Sequence, residues 1–308
     1  MGGRGARCRR DAELVADAGG ASRRTGFACL LATAIGWGLN WPAIKILVET
    51  WPPLLARGLV GVAASLLLSL AARAMGERLA VPRRVIPRLL LASFTNVFAW
   101  MGFATLALTR LSAGEGALLV YTMPIWTTLF AWPLLGTRPT PRGLAALALG
   151  FAGVFVLLGR DTFGLNQGQW IGVAYALGSA ICFALGTVLN RTPLGLAPVS
   201  AAAWQVGLGC LPMLLLGLAF EPPLRSAPTL SEWALLAYMT LIPMGVCYLT
   251  WFATLRQLPP ATAATGMLLV PLIGVVSAAI LLGEPFGPRQ LGAMGLTFAG
   301  VALALRKA

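Results

Sequence analysis

The sequence contains no histidine and only 10 acidic residues among its 308. Charged residues of both signs make up 11% of it, whereas soluble domains carry about 25%. Histidine is the commonest metal ligand and a frequent general base, so its absence disfavours most metal-dependent and acid–base active sites. The scarcity of charge indicates that water does not surround most of the folded surface.

Apolar residues are correspondingly abundant. They make up 58% of the chain, and the mean hydropathy is +0.80. Apolar segments of ~20 residues, each long enough for one helix to cross a bilayer core, recur along the chain. Backbone polar groups in hydrocarbon must be paired within their own segment, so these segments are predicted to be helices. The remaining residues are too few for a separate catalytic domain.

The predicted spans, TM1 to TM10, follow a tail over residues 1–25 that is expected to be cytoplasmic and disordered. Turns containing proline, such as Trp51-Pro52-Pro53 and Gly287-Pro288, mark the breaks between spans. The predicted spans are residues 26–48, 53–74, 85–107, 112–135, 141–158, 169–190, 197–219, 231–254, 261–283 and 288–305.

One stretch of the chain occurs twice. Leu111–Leu158 aligns without a gap to Leu258–Leu305 at an offset of 147 residues. Pro124 and Pro271 are among the identical pairs in the two copies. Self-similarity at a fixed offset is the signature of an internal repeat. The chain is therefore predicted to consist of two related halves.

The repeat divides the chain into two predicted domains, repeat 1 over residues 26–158 and repeat 2 over residues 169–305. Each repeat contains five spans, and because five is odd, repeat 2 enters the membrane from the opposite side. The predicted fold class is all-α: a polytopic membrane protein with ten transmembrane helices in two inverted five-helix repeats. Inverted repeats commonly build transporters, whose substrate site lies between the halves near the bilayer midplane.

The net charge of +13 would suggest a nucleic-acid partner in a soluble protein. Here the charges lie between apolar segments, so the expected partners are the lipid bilayer and a small-molecule substrate, with no nucleic acid. If the N-terminus is inside, the inner segments hold 17 Lys and Arg residues and the outer segments hold four: Arg110, Arg160, Arg225 and Arg289. The positive-inside rule then predicts that both termini are cytoplasmic.

Polar, aromatic and helix-breaking residues inside the spans are the candidates for a substrate site. Pro124 and Pro271 fall mid-span at matching points, where freed backbone carbonyls are tolerated beside a cavity. The alternative is that the two prolines only shape packing. Aromatic walls suit cationic or aromatic ligands. The candidate substrate-binding residues are Trp37, Asn40, Trp41, Lys45, Asn96, Trp100, Tyr121, Pro124, Tyr175, Phe183, Tyr248, Trp251 and Pro271.

Some candidates have structural alternatives. Lys45 lies near the outer end of TM1, where its ammonium group can reach the lipid headgroups, and Trp41 also fits an interfacial belt. Glu115, near the outer start of TM4, is the one acid considered for a role inside a span. We interpret it as a helix-start acid in preference to a proton site or a partner of Lys45 or Arg57. The five cysteines show no metal-ligand spacing, so no catalytic residue, metal or cofactor is predicted.

Small residues recur four apart in TM5, at Ala148 and Ala152, and at the aligned positions of TM10, Gly295 and Ala299. Such pairs allow helices to approach closely. TM5 and TM10 are also the least polar spans. They are therefore predicted to form a scaffold or a homodimer face, away from the substrate.

These features resemble the EamA family of the drug/metabolite transporter (DMT) superfamily. The stretch Trp37–Lys45 resembles the first helix of the family, Ser112–Pro124 resembles its fourth, and Leu281–Glu284 resembles its TM9–TM10 junction. Thr137 stands where the first repeat of the family usually has glutamate, whereas the second repeat keeps Glu284. The resemblance covers nearly the whole chain after residue 25.

The resemblance implies a multi-pass carrier of the bacterial inner membrane, with a cavity formed by TM1, TM3, TM4, TM6, TM8 and TM9. It implies export of small metabolites by alternating access, with amino acids, neutral or aromatic, as the first substrate class. Efflux of cationic compounds, as by a multidrug carrier, is the alternative. A membrane-embedded enzyme or a channel is a further alternative, but the chain has no H-E-x-x-H or G-x-S-x-G motif, so it is predicted not to be an enzyme.

Overall fold

The computed structural model describes residues 3–136, 141–158, 166–224, 226–259, 262–263 and 266–305. Within these ranges, side chains are described for residues 23–303 except 157 and 158. The described backbone is helical and contains no strand. The helices are α1 (Gly3–Thr50), α2 (Pro53–Ala74), α3 (Arg83–Leu108), α4 (Ala113–Leu135), α5 (Pro141–Leu158), α6 (Gln167–Leu189), α7 (Pro198–Phe220), α8 (Leu230–Gln257), α9 (Leu269–Leu282) and α10 (Pro288–Leu305).

Seven stretches of helix in the described chain are long and apolar enough to cross a membrane: Arg23–Thr50 of α1, and α2, α3, α4, α6, α7 and α8. Two shorter apolar helices are Pro141–Val156 within α5 and the whole of α9. The all-helical membrane architecture predicted from composition is therefore confirmed at this level. Each described helix from α2 onwards lies within a few residues of a predicted span, except that α9 begins eight residues late.

The first helix differs from expectation at its N-terminal end. It begins at Gly3, whereas the sequence predicts a disordered tail over residues 1–25. The segment Gly3–Thr25 contains no proline and is rich in alanine and arginine, which are good helix formers, so the helix continues back from the membrane span. The division of the chain at residue 25 stays a prediction.

Two helices contain a stretch of wider π-helical turns. The stretch in α3 covers Phe94–Ala99, and the stretch in α8 covers Ile242–Val246. The two coincide within one residue at the offset of 147 that relates the repeats. Such turns occur frequently at functional sites, because they shift the side chains that follow around the helix axis.

The helices that contain the matched prolines are also broken at matching places. In α4 a turn at Tyr121 and Thr122 separates helical residues Ala113–Val120 from Met123–Leu135. A turn at Met267 and Leu268 precedes α9. The predicted mid-span breaks are therefore present, and the second one explains why α9 begins late.

Most helices of the first half pack against helices of the second half, and the contacts follow a symmetric pattern. α2 packs against α7, and α5 packs against α10. α1 packs against α8 and α9, while its counterpart five helices on, α6, packs against α3 and α4. If each helix is replaced by the one five positions away (α1 by α6, α3 by α8, α4 by α9, and the reverse), these same contacts are obtained.

Glycines bring α2 and α7 into backbone contact. A Cβ atom built on Gly58 would lie 2.3 Å from the backbone nitrogen of Leu214, and one built on Gly217 would lie 2.4 Å from that of Leu55. The Glu221 carboxylate, directly after α7, accepts hydrogen bonds from the N–H groups of Leu54 and Leu55 at 2.9 and 2.8 Å. The pair is therefore joined both by close packing and by charge at a helix start.

The opposite end of the α2–α7 pair has the reciprocal contact. Glu77 follows α2 and accepts hydrogen bonds from the N–H of Ser200 at 2.7 Å and from the Ser200 hydroxyl at 3.0 Å. Each helix therefore provides, just beyond its own end, the carboxylate that caps the start of the other.

Candidate functional site

Two neighbouring cavities lie among the helices. The larger has a volume of about 450 Å³, within the range of ~300–1,000 Å³ typical of small-molecule sites. Its walls come from α1, α3, α4, α6, α7 and α8 and from the turn before α9. The residues that line it are Trp37, Asn96, Val97, Trp100, Tyr121, Met123, Phe183, Pro198, Ala201, Ala202, Gln205, Val206, Tyr248, Trp251, Phe252 and Met267.

The smaller cavity has a volume of about 50 Å³, enough for a polar group but not for a whole metabolite. It shares Trp37, Trp100, Tyr121 and Tyr248 with the larger cavity. The two cavities are therefore neighbours, and they are called the narrow end and the wide end of one candidate site. The further residues that line the narrow end are Asn40, Trp41, Ile44, Arg57, Met101, Ala104, Pro243 and Met244.

The shared wall of the two cavities is aromatic. The ring of Trp37 lies 5.8 Å from that of Tyr248 and 6.0 Å from that of Trp251, measured between centroids. On the other side, the Trp100 and Phe183 rings are 5.1 Å apart. These separations are those of favourable aromatic pairs, so the rings hold one another in place and present apolar faces to the cavity.

Small residues and a hydrogen bond fix the position of Trp37. Gly36 lies against α8, where a Cβ atom would be 2.3 Å from the Cys247 sulfur. The Trp37 indole Nε1 donates to the carbonyl of Pro243 at 2.7 Å, inside the π stretch of α8. The irregular backbone of α8 therefore supplies the acceptor that orients one wall of the site.

The narrow end holds polar atoms without a partner among the described residues. They are Asn40 Oδ1, Arg57 Nε and Nη1, and Trp100 Nε1. A buried polar group without a hydrogen bond costs ~1–3 kcal/mol, so most such groups in folded proteins are satisfied. Three side chains around one small cavity thus carry polar atoms that have no partner among the described residues.

Nine of the thirteen residues predicted for the site line these cavities. The residues on the wide end or the shared wall are Trp37, Asn96, Trp100, Tyr121, Phe183, Tyr248 and Trp251. Asn40 and Trp41 line only the narrow end. Trp41 is 6% exposed and packs against Tyr121 at 6.2 Å, which does not fit its alternative position in an interfacial belt.

The other four predicted residues lie outside both cavities. The Lys45 ammonium donates to the carbonyls of Leu108 and Leu111 at 2.9 and 3.0 Å. Tyr175 packs against Phe103. Pro124 and Pro271 do not line either cavity. The residues just before them do, namely Tyr121, Met123 and Met267.

Glu115 is a helix-start acid in the structure, as the sequence predicts. Its carboxylate accepts a hydrogen bond from the backbone N–H of Ser112 at 3.1 Å, and its own N–H donates to the Ser112 hydroxyl at 3.1 Å. This reciprocal pair is a capping box at the start of α4. Glu115 is therefore a helix-start acid, and it forms no ion pair with Lys45 or Arg57.

Sequence reasoning missed Arg57 as a cavity residue. It lies in the second turn of α2 and is 5% exposed. The sequence did carry a signal, because an arginine inside a predicted span is a candidate for function in its own right. It was considered only as a partner for Glu115. Gln205, on the α7 wall of the larger cavity, was also missed, because TM7 was not expected to border the site.

Comparison with known proteins identifies the family of the chain. The model of the EamA-like transporter family matches residues 24–159 and again residues 170–306. The chain belongs to the EamA-like transporter family. Family membership confirms the resemblance and indicates a membrane transporter, as opposed to an enzyme.

Relatives of the transporter agree with this assignment over nearly their full length. It is 30% identical over 285 residues to "Uncharacterized transporter YvbV" of Bacillus subtilis, covering 91% of this chain and 92% of the relative. It is 29% identical over 290 residues to the "Probable amino-acid metabolite efflux pump" of Salmonella typhimurium, covering 91% and 94%. A solved crystal structure has the same fold, with a TM-score of 0.61 at 22% identity, covering 92% of this chain and 96% of that one.

Proposed function

We propose that the transporter is a secondary carrier of the bacterial inner membrane that exports small metabolites, with neutral or aromatic amino acids as the first candidates. The observation that carries this proposal is the aromatic cavity of about 450 Å³ between helices of both halves. Its size suits one metabolite, and its walls suit an apolar or aromatic side chain. The relative named as an amino-acid metabolite efflux pump supports the same substrate class.

The proposed mechanism is alternating access between two inverted repeats of five helices. Three observations support the repeat: the exchangeable packing of helix pairs, the matching π stretches, and the ends of α4 and α9. Each of those helices is followed directly by a glycine with positive φ, Gly136 at +70° and Gly283 at +65°. With ten spans and the arginine-rich segments inside, both termini are cytoplasmic.

The arrangement of the site supports an inward-facing state. The wide end of the site reaches Pro198, Ala201 and Gln205 in the first turns of α7, at the end of the molecule that the charge distribution assigns to the cytoplasm. Beyond the narrow end, Lys45 bonds to the end of α3. A site that is wide on the cytoplasmic side is placed to load substrate from inside, as export requires.

Efflux of cationic compounds is the second candidate, because aromatic faces attract cations. The charges at the site favour the first candidate. Among the residues described as lining the two cavities there is no carboxylate, and Arg57 brings a positive charge to the narrow end. An organic cation therefore meets no counter-ion in this part of the transporter.

A homodimer through α5 and α10 remains a proposal. Ala148, Gly295 and Ala299 lie exposed on the outside of this helix pair, and a Cβ atom on Gly295 would meet nothing within 4 Å. Within the described part of the chain these small residues stay exposed, which leaves them available to a second copy.

An export screen followed by reconstitution tests the proposed function. Cells that overproduce the transporter are challenged with toxic amino-acid analogues, and the amino acids that accumulate outside are measured. The purified transporter is then placed in liposomes, where saturable counterflow of the same amino acids identifies a carrier and separates it from a channel. Export of cationic dyes without export of amino acids would favour the second candidate instead.

A further inference from the structure

Arg57 is a buried arginine whose charge has no counter-ion among the described residues. Its one hydrogen bond runs from Nη2 to the sulfur of Met244 at 3.9 Å, and its Nε and Nη1 atoms have no partner. The guanidinium group cannot lose its proton in a protein. Arg57 therefore places a permanent and almost unsatisfied positive charge at the narrow end of the site.

Three acids at helix ends form caps and do not pair with Arg57. Glu221 caps α2 through Leu54 and Leu55, and Glu115 caps its own helix through Ser112. Glu284 accepts hydrogen bonds from the start of α4. Burying an unpaired ion is costly, and charged residues inside membrane proteins usually mark a substrate or ion pathway. Within the part of the chain that the structure describes, Arg57 thus has no acidic partner.

We infer that Arg57 binds the carboxylate of the transported molecule, and this inference rests on the proposed transport function. A guanidinium fork matches a carboxylate in geometry as well as in charge. Its one hydrogen bond to a described residue is long and made to a weak acceptor, so a carboxylate would displace little. The narrow end, of about 50 Å³, has room for the acid group of a metabolite while the rest of the molecule occupies the wide end.

Neighbouring groups define the substrate class further. Asn40 Oδ1 is an unpaired acceptor at the same narrow end, suited to an ammonium group beside the carboxylate. Trp37, Trp100 and Tyr248 form the shared wall that an apolar side chain would contact. The site therefore selects carboxylic acids with an apolar or aromatic body, amino acids among them, and disfavours molecules of the same shape that lack the carboxylate.

The test compares acids with their amides. The full-length transporter in liposomes is given L-phenylalanine, L-leucine and the primary amides of both, together with 3-phenylpropionate, which keeps the carboxylate but has no ammonium group. We expect counterflow of at least one amino acid, competition by phenylpropionate, and amides that compete about 10- to 100-fold less well, as the loss of a charged hydrogen bond implies. This comparison uses the wild-type protein and so does not depend on any variant folding.

Two substitutions test whether Arg57 causes the preference for acids over amides. Arg57→Met removes the charge at similar length and should abolish the preference for acids, whereas Arg57→Lys keeps the charge without the fork and should retain part of it. Thermal unfolding in detergent separates a binding role from a structural one. Because Arg57→Met removes an unpaired buried charge, its melting temperature should equal or exceed that of wild type, while a structural arginine would give a lower one.

The possible failures can be told apart. If acids and amides are transported equally well, or if Arg57→Met keeps the preference for acids, the role of Arg57 is wrong and the proposed function stands. If the wild-type transporter moves none of the acids, the proposed amino-acid function is wrong and the inference about Arg57 falls with it.

Discussion

Glu284, which lies just after α9, caps the start of α4 at Ala113. The Ala113 N–H donates a hydrogen bond to one oxygen of the Glu284 carboxylate at 2.6 Å, and the Gly114 N–H donates to the other oxygen at 2.9 Å. Lys45 bonds to carbonyls at the preceding corner, at Leu108 and Leu111. A negative charge at a helix start and a positive charge at a helix end are both favourable. The corner between α3 and α4 is therefore tied to α9 on one side and to α1 on the other.

Glu284→Gln should loosen this corner and admit reagents to the narrow end of the site from outside the cell. An amide can accept only one of the two hydrogen bonds and carries no charge, so we expect labelling to rise about 10-fold. The measurement is the rate at which a membrane-impermeant thiol reagent modifies Ala104→Cys, in a variant whose native cysteines have been replaced.

Glu115→Gln is the matched control. Glu115 caps the same helix, but through Ser112 of its own chain segment, and glutamine serves well in that motif. Its labelling rate should equal that of the unsubstituted background. A rate for Glu284→Gln that is no higher than the control would show that the Glu284 contact does not help to close the outer end.

Trp100→Ala and Asn40→Ala should each reduce transport at least about 10-fold while expression persists. Trp100 borders both cavities and packs against Phe183 at 5.1 Å, and Asn40 supplies an unpaired acceptor. A buried hydrogen bond or an aromatic contact of this kind is worth ~1 kcal/mol or more. Counterflow in liposomes at equal protein density is the measurement. The control is Trp132→Ala, because Trp132 is 49% exposed on α4. Wild-type rates in both cavity variants would contradict the location of the site.

Gly153→Leu should destabilise the transporter by about 1–3 kcal/mol, the usual cost of overfilling a packed contact. Even a Cβ atom on Gly153 would lie 2.4 Å from the Thr297 hydroxyl of α10. The aligned helix offers a matched control at Gly295, where nothing lies within 4 Å of an added Cβ. Gly295→Leu should therefore melt at the wild-type temperature in detergent. If it also shifts the protein from dimer to monomer in light scattering, the homodimer face is located.

Glu221→Ala and Glu77→Ala should lower the stability of the transporter to similar degrees, about 1–3 kcal/mol each. Each substitution leaves the first N–H groups of a facing helix without their carboxylate. Glu49→Ala is the control, because Glu49 is exposed at the end of α1. Thermal unfolding of the purified variants is the measurement, and a melting temperature for Glu221→Ala equal to that of the control would contradict the role given to the cap.

The sequence was sufficient for the features that depend on position along the chain. Apolar segments long enough to span a bilayer must be helical, because lipid offers no hydrogen bonds to the backbone. The matched prolines predicted the breaks at Tyr121 and Met267, since proline removes the same helix bond wherever it stands. The resemblance to the family was also visible in the sequence, because its motifs are short runs of neighbouring residues that can be recognised without the structure.

The sequence was not sufficient for features that depend on which helix faces meet. The π stretches in α3 and α8 leave no compositional signature, yet the one in α8 supplies the carbonyl that orients Trp37. The sequence also could not show that the partners of Lys45 are backbone carbonyls, since a carbonyl is present at every residue. Thr137, the counterpart of Glu284 in repeat 1, lies outside the described residues.

Arg57 shows where the two kinds of information divide. The sequence alone determined that a charge lies within a predicted membrane span, because the length of an apolar segment and the residues inside it are local properties. Only the tertiary structure decided that this charge borders a cavity and has no counter-ion among the described residues. That outcome depends on how α1, α2 and α8 meet around Arg57. Tertiary packing determines which residues distant along the chain come into contact. It therefore also determines whether a buried charge has a counter-ion within the protein.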